Sequence, residues 1–165
     1  MKNTIGAAAM AAALAAVAGP ASAQVFNRIA SFPVSENLPD GMAADTETAP
    51  EIITATEDGM TLVYSDSPLE AIGMIDISDP ANPQPMGAAM LGGEPTSVTT
   101  RGGKAFATVN TSESFTNPSG RIEIVDMASG AVEESCDLGG QPDSSVIAHD
   151  GSFLAVAIEN ERDED

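Results

Sequence analysis

The sequence predicts an all-β fold built from β-propeller blades, and three observations carry that prediction. The run Gly92-Gly93-Glu94-Pro95-Thr96-Ser97-Val98 returns 47 residues later as Gly139-Gly140-Gln141-Pro142-Asp143-Ser144-Ser145-Val146. A period in the forties with strand-like content marks propeller blades. Turn signals recur in step with it, at Asp58-Gly59, Gly102-Gly103 and Asp150-Gly151, each followed by a short apolar run. No segment after residue 23 shows a 3.6-residue apolar period of helical length, and the prolines fall almost entirely between the apolar runs, where a missing N–H costs a sheet ladder nothing.

Each element follows from local chemistry. The first blade reads as four strands over 51–56, 60–65, 71–78 and 84–91, separated by Glu57-Asp58-Gly59, Ser65-Asp66-Ser67-Pro68 and Asp79-Pro80-Ala81-Asn82-Pro83. The second repeats the pattern over 96–100, 104–110, 120–127 and 131–138. A third blade shows its inner pair, 144–148 and 152–160, around His149-Asp150-Gly151. Alternation within these strands nominates Ile53, Leu62, Ile75, Ile77, Val98, Phe106, Val109, Ile122, Ile124, Val146, Phe153 and Val156 as the core between sheets. Cys136, within the alternation of the eighth strand, is expected to pack as a small hydrophobe.

Ahead of the blades stands an address label. Lys2, the Ala-rich apolar stretch 5–18 and the small-x-small site Ala21-Ser22-Ala23 read as a signal peptide over 1–23, which predicts a periplasmic or secreted protein. That stretch is too short for a membrane span of about 20 residues. Residues 24–49 form a leader, in which 26–32 is the candidate for a strand that closes the ring. Residues 50–165 then hold two blades plus the inner half of a third. Complete propellers have about four to eight blades, so the chain is expected to be an incomplete ring: a fragment whose partners are the missing blades of the same polypeptide, or a partial propeller that assembles in trans.

The chain carries 25 acidic against 6 basic residues, a formal net charge of −19. Such a surface repels nucleic-acid phosphates and anionic lipid, and it favours solubility and divalent cations. Because propeller strands alternate in direction, the connection entering each blade and the loop between its second and third strands share one face. Glu94, Asn110, Glu159, Asn160 and Glu161 lie there and are the candidate metal ligands, since carboxylate and amide oxygens are what Ca²⁺ takes. A solvated acidic surface is the alternative. Other chemistry is thin: one histidine, His149, falls in a hairpin on the opposite face, there is no Gly-x-Ser-x-Gly elbow, and one Cys with one His argues against zinc.

Three stretches carry a family resemblance: Met60-Thr61-Leu62-Val63-Tyr64-Ser65-Asp66-Ser67-Pro68, Ile72-Gly73-Met74-Ile75-Asp76-Ile77-Ser78-Asp79-Pro80-Ala81-Asn82-Pro83, and the ending Ala157-Ile158-Glu159-Asn160-Glu161-Arg162-Asp163-Glu164-Asp165. Together they resemble the amino-terminal part of exported bacterial proteins of the phytase-like group ("esterase-like activity of phytase"). The resemblance implies a calcium-dependent propeller that hydrolyses a small phosphoester or ester. It transfers no catalytic residue. The competing expectation is a non-catalytic propeller scaffold that binds a protein or glycan in the periplasm or outside the cell.

Overall fold

A computed structural model describes residues 26–160. The expected signal peptide over 1–23 and the candidate ligand Glu161 lie outside that range. Ten strands follow one short 3₁₀ turn, Val34–Asn37. The first sheet comprises β1 (Pro50–Ala55), β2 (Thr61–Asp66), β3 (Ala71–Asp76) and β4 (Gln84–Met90). The second comprises β5 (Glu94–Arg101), β6 (Lys104–Asn110), β7 (Gly120–Asp126) and β8 (Ala131–Asp137), and the third pairs β9 (Pro142–Ile147) with β10 (Leu154–Ile158). All pairings are antiparallel and sequential, so each four-stranded sheet is a simple meander. The first strands β1, β5 and β9 lie side by side, which stacks the sheets as blades around a common axis.

The Gly-Gly repeat has a stereochemical cause. Gly92 and Gly139 adopt φ of 65° and 67°, a backbone conformation that favours glycine, where the chain swings from one blade into the next. Gly93 and Gly140 come next because a Cβ there would stand 2.8 Å from Val109 Cγ1 and 2.8 Å from Ile158 Cγ2 respectively. In each blade the innermost strand then carries one extra residue just after a proline: the register slips between Pro50 and Ile53, between Pro95 and Ser97, and opposite Ala157 and Ile158 beside Pro142.

The main core lies between the first two blades and differs from the expected one. Ile75, Val98 and Val109 are buried as the alternation suggests. Ile53, Val146 and Phe153 are instead more than half exposed, while Leu62, Ile77, Phe106, Ile122, Ile124 and Val156 are half-buried. The packed face is the opposite one, formed by Val63, Ile72, Met74, Ala105, Ala107 and Val125 with their neighbours. Leu62 and Ile75 pair across β2 and β3 on the face that the leader overlies, and Phe106 pairs with Ile124 on the face toward the two-stranded third blade. Cys136 is exposed as well, because β8 is an outermost strand exposed along its whole length.

The leader takes a course other than the expected strand. Residues 26–33 have no strand pairing. Residues 27–32, with Leu62, Ile75, Ile77, Pro80 and Pro83, line a cleft of about 410 Å³, so this segment crosses the broad face of the first blade instead of lying beside a sheet edge. Asn37 anchors the rest of the leader. Its Nδ2 donates to Met74 O at 2.8 Å and to Tyr64 Oη at 3.1 Å, and its Oδ1 accepts from the N–H groups of Met86 and Gly87 at 3.1 and 2.9 Å. These backbone groups sit where the β3–β4 register shifts, so one buried amide fills the gap in the ladder.

Several turns are built on aspartates, four of them with carboxyls whose titration is shifted. Asp58 accepts from Thr56 Oγ1 and the Met60 N–H, Asp76 from the Ser78 N–H, and Asp126 and Asp150 each from the hydroxyl and N–H of Ser129 and Ser152. Hydrogen bonds to the ionised form hold all four carboxyls below the ordinary range, through the Thr56, Ser129 and Ser152 hydroxyls first at Asp58, Asp126 and Asp150, and through the Ser78 N–H first at Asp76. A depressed folded pKa contributes stability above the unfolded value of about 3.9 and loses it as pH falls through the folded value. The thermal midpoint is therefore expected to drop as pH is lowered below about 4, and a combined Asp58→Asn/Asp126→Asn/Asp150→Asn variant should show a shallower drop. Equal slopes for the two proteins would count against these turns as the cause.

Candidate functional site

Two regions at the blade axis concentrate the chemistry. The first is the end of the molecule where the chain enters each blade. Glu94 and Asn110 face each other across β5 and β6, with Asn110 Nδ2 donating to Glu94 Oε2 at 3.3 Å. The Asn110 Oδ1 accepts from the Ser112 N–H at 3.0 Å, and Asn160 Oδ1 accepts from the Gln141 N–H at 3.0 Å. Both amide oxygens thus already shape their own loops. Glu159 is exposed, and its backbone N–H closes on Gln141 O. The structure brings together Glu94 with Asn110, and Asn160 with the Gln141 loop. Among the described residues no three His, Cys, Asp or Glu side chains stand together as a metal-ligand group. Of the expected ligands among the described residues, Glu94 and Glu159 are the carboxylates that a Ca²⁺ would have to draw on.

At the same end Asp66 is 1% exposed. Its Oδ1 accepts from the Ala49 and Leu69 N–H groups at 2.9 and 3.4 Å, while its Oδ2 has no partner among the described residues. Burial pushes the neighbouring Tyr64 phenol above its ordinary pKa; the Asn37 hydrogen bond opposes that shift and the Asp66 charge adds to it.

The second region is an axial cleft of about 480 Å³ between the innermost strands. It is lined by Ile52, Ile53 and Thr54 of β1, by 96–99 of β5 and by 143–146 of β9. Each of these strands is the edge of its sheet, so the cleft is walled by three strand edges. Aliphatic and hydroxyl residues share its lining with Asp143. Ser97 and Ser145 tie the second blade to the third, with hydroxyls 3.1 Å apart and the Ser145 N–H donating to Ser97 Oγ at 3.2 Å. The bulge after each proline places Glu51, Thr96 and Asp143 at equivalent points of their strands, as bulges commonly re-aim a side chain near a site.

The far end of the axis is a structural clasp. Arg101 Nε lies 3.3 Å from Glu57 Oε1, its Nη1 donates to His149 O at 3.2 Å, and the Gly102 N–H donates to Glu57 Oε2 at 3.0 Å. Three consecutive hairpins are joined there. His149 is exposed in the last of them, as its turn position suggested, and contributes its carbonyl. The cleft residues were marked in the sequence by the repeat and as core candidates, not as a site. A further signal was the proline at or next to the start of each innermost strand, Pro50, Pro95 and Pro142, the last two fully buried.

Comparison with known proteins agrees with this architecture. The chain resembles hydrazine synthase of Kuenenia stuttgartiensis with 24% identity and a TM-score of 0.53, over 65% of this chain and 31% of that one. It also matches glutaminyl cyclase of Myxococcus xanthus with 13% identity and a TM-score of 0.48, over 67% of this chain and 44% of that one. The chain thus spans about a third to under half of the length of these proteins. The hydrazine synthase match supports the fold alone, a propeller-like arrangement of antiparallel sheets. No curated protein sequence matches the chain. A profile for the choice-of-anchor I domain matches residues 51–165, which takes in all three sheets but for the opening proline of the first. The chain belongs to the choice-of-anchor I domain family.

Proposed function

We propose that this chain serves as a propeller scaffold at the cell surface or outside the cell, binding a protein or glycan at the axial cleft. One observation carries the reading: three strand edges converge on one cleft, where aliphatic and hydroxyl residues are offered together. A mostly apolar concavity with a few fixed polar groups is the usual form of a binding site. The family's anchor description favours an exported location, and the stretch over 1–23 supports a secreted or periplasmic route. The test is a binding screen on the full chain, with Val146→Arg in β9 as the control. A ligand of the cleft is expected to lose most of its affinity when a charged side chain fills the space beside Ile53. Unchanged binding by this variant would place the ligand elsewhere.

A second reading is a divalent-cation-dependent phosphoester or ester hydrolase of the phytase-like kind. The buried Asp66 Oδ2, which has no partner among the described residues, favours it, since an orphaned carboxylate oxygen is the kind of ligand a hard cation takes. A cation bound only by the folded state raises apparent stability by about 2.7 kcal/mol at a hundredfold excess over its dissociation constant. On this reading, melts with calcium and with chelator differ by several degrees, and phosphoester or carboxylester substrates turn over only with calcium. Coincident melts without turnover leave the scaffold reading alone.

A further inference from the structure

Resting on the scaffold reading, we infer that the axial cleft takes an extended basic peptide, added as a strand along the free edge of β1. Three features of the molecule select this occupant.

The first is the edge itself. β1 is an outer strand of its sheet, and all its residues are exposed except the half-buried Thr54. Its lower end is engaged, because Ala55 O accepts from Thr100 Oγ1 at 3.1 Å. The Ile52 N–H turns inward to Ser65 Oγ of β2 at 3.1 Å, while Ile52 and Ile53 both line the cleft. A free edge offers backbone donors and acceptors at the strand spacing, which an extended peptide satisfies and a folded surface does not.

The second is side-chain chemistry. Ile52, Ile53 and Val146 are 43, 58 and 62% exposed and line one space. That display suits the methylene stems of Lys or Arg, or a branched aliphatic side chain, at alternate positions of an added strand.

The third is charge. Asp143 lines the cleft, and Glu51 is the second residue of β1, its Oε2 accepting from Ser67 Oγ at 2.9 Å, on a chain of formal net charge −19. Such a field steers cationic partners in and turns acidic ones away. A neutral glycan would use the hydroxyls but neither the charge nor the strand edge.

The experiment is calorimetric titration of the full chain with a hexapeptide of alternating lysine and valine. Alongside it run the same peptide N-methylated at alternate residues, a glutamate-valine hexapeptide and a neutral hexasaccharide. The lysine-valine peptide is expected to bind. Its affinity should fall roughly threefold in each of Glu51→Gln and Asp143→Asn, as for exposed ion pairs, and should weaken as salt is raised. N-methylation should abolish binding, since it removes the backbone donors that strand addition needs. If the N-methylated peptide binds as well as its parent, or the acidic peptide binds equally, the inference is overturned. Binding of the hexasaccharide alone, lost in Val146→Arg, overturns the peptide and keeps the scaffold reading. No binding by any of the four overturns the peptide, and if ester turnover accompanies that result the scaffold reading falls with it.

Discussion

Replacing Arg121 by Ala is expected to lower the stability of the protein by about 3–5 kcal/mol, the usual cost of leaving a buried charge without its partner. Arg121 and Glu123 are two residues apart on β7, on the face packed against the first blade. The Glu123 side chain is 7% exposed; its Oε1 pairs with Arg121 Nε, and its Oε2 has no partner among the described residues. The same guanidinium donates through Nη2 to Leu91 O at 2.6 Å and Gly92 O at 3.4 Å, where the chain crosses from the first blade to the second. Removing it strands the carboxylate and two carbonyls together. The pair itself need not be net stabilising, because desolvation opposes its attraction. A double variant, Arg121→Leu with Glu123→Leu, should therefore recover most of the loss. Urea midpoints for Arg121→Leu, Glu123→Leu and the double settle the matter: a double variant whose loss equals the sum of the two single losses would show that the pair is not coupled.

The second large effect is expected at Asn37. In Asn37→Ala, Met74 C=O and the N–H groups of Met86 and Gly87 lose their partner at a residue that is 1% exposed. Each orphaned group costs about 1–3 kcal/mol. Water entering the vacated space offsets part of the sum, so the expected loss is about 3 kcal/mol or more. The effect is local in character, since Asn37 belongs to the leader and the bulge to the β3–β4 ladder. Amide exchange at Met86 and Gly87 should accelerate, and limited proteolysis should cut the leader ahead of β1 sooner than in the parent. A variant whose midpoint drops while those two amides keep their protection would contradict the proposed role.

Much of the architecture was written in local chemistry. Strand content, strand order and hairpin positions came from turn residues and apolar runs, because an antiparallel meander with short loops is specified mostly by neighbours in the chain. The Gly-Gly repeat was visible as a motif, and the structure supplies its reason: a positive φ at Gly92 and Gly139, and no room for a Cβ at Gly93 and Gly140.

The choice of buried face was not legible in the same way. Alternation divides a strand into two faces, and in stacked blades either can be covered, depending on which neighbour lies against it. Ile53, Val146 and Phe153 looked like core by type and stand exposed, whereas Ala105, Ala107 and Val63 form the packed seam. Tertiary contacts also decided the candidate site. Asn110 and Asn160 carry the right oxygen for a cation, yet their own loops fold back onto it. Cleft residues such as Ile53, Ser97 and Val146 stood out in the sequence only as repeat or core, because an Ile, a Ser and an Asp gain common purpose only when three strand edges meet. What the sequence determined was each blade's pattern of strands and turns, which depends on local propensity and chain reversal. Only the tertiary structure decided which faces close and which remain open to a partner, because burial is a property of what packs against a strand and not of the strand itself.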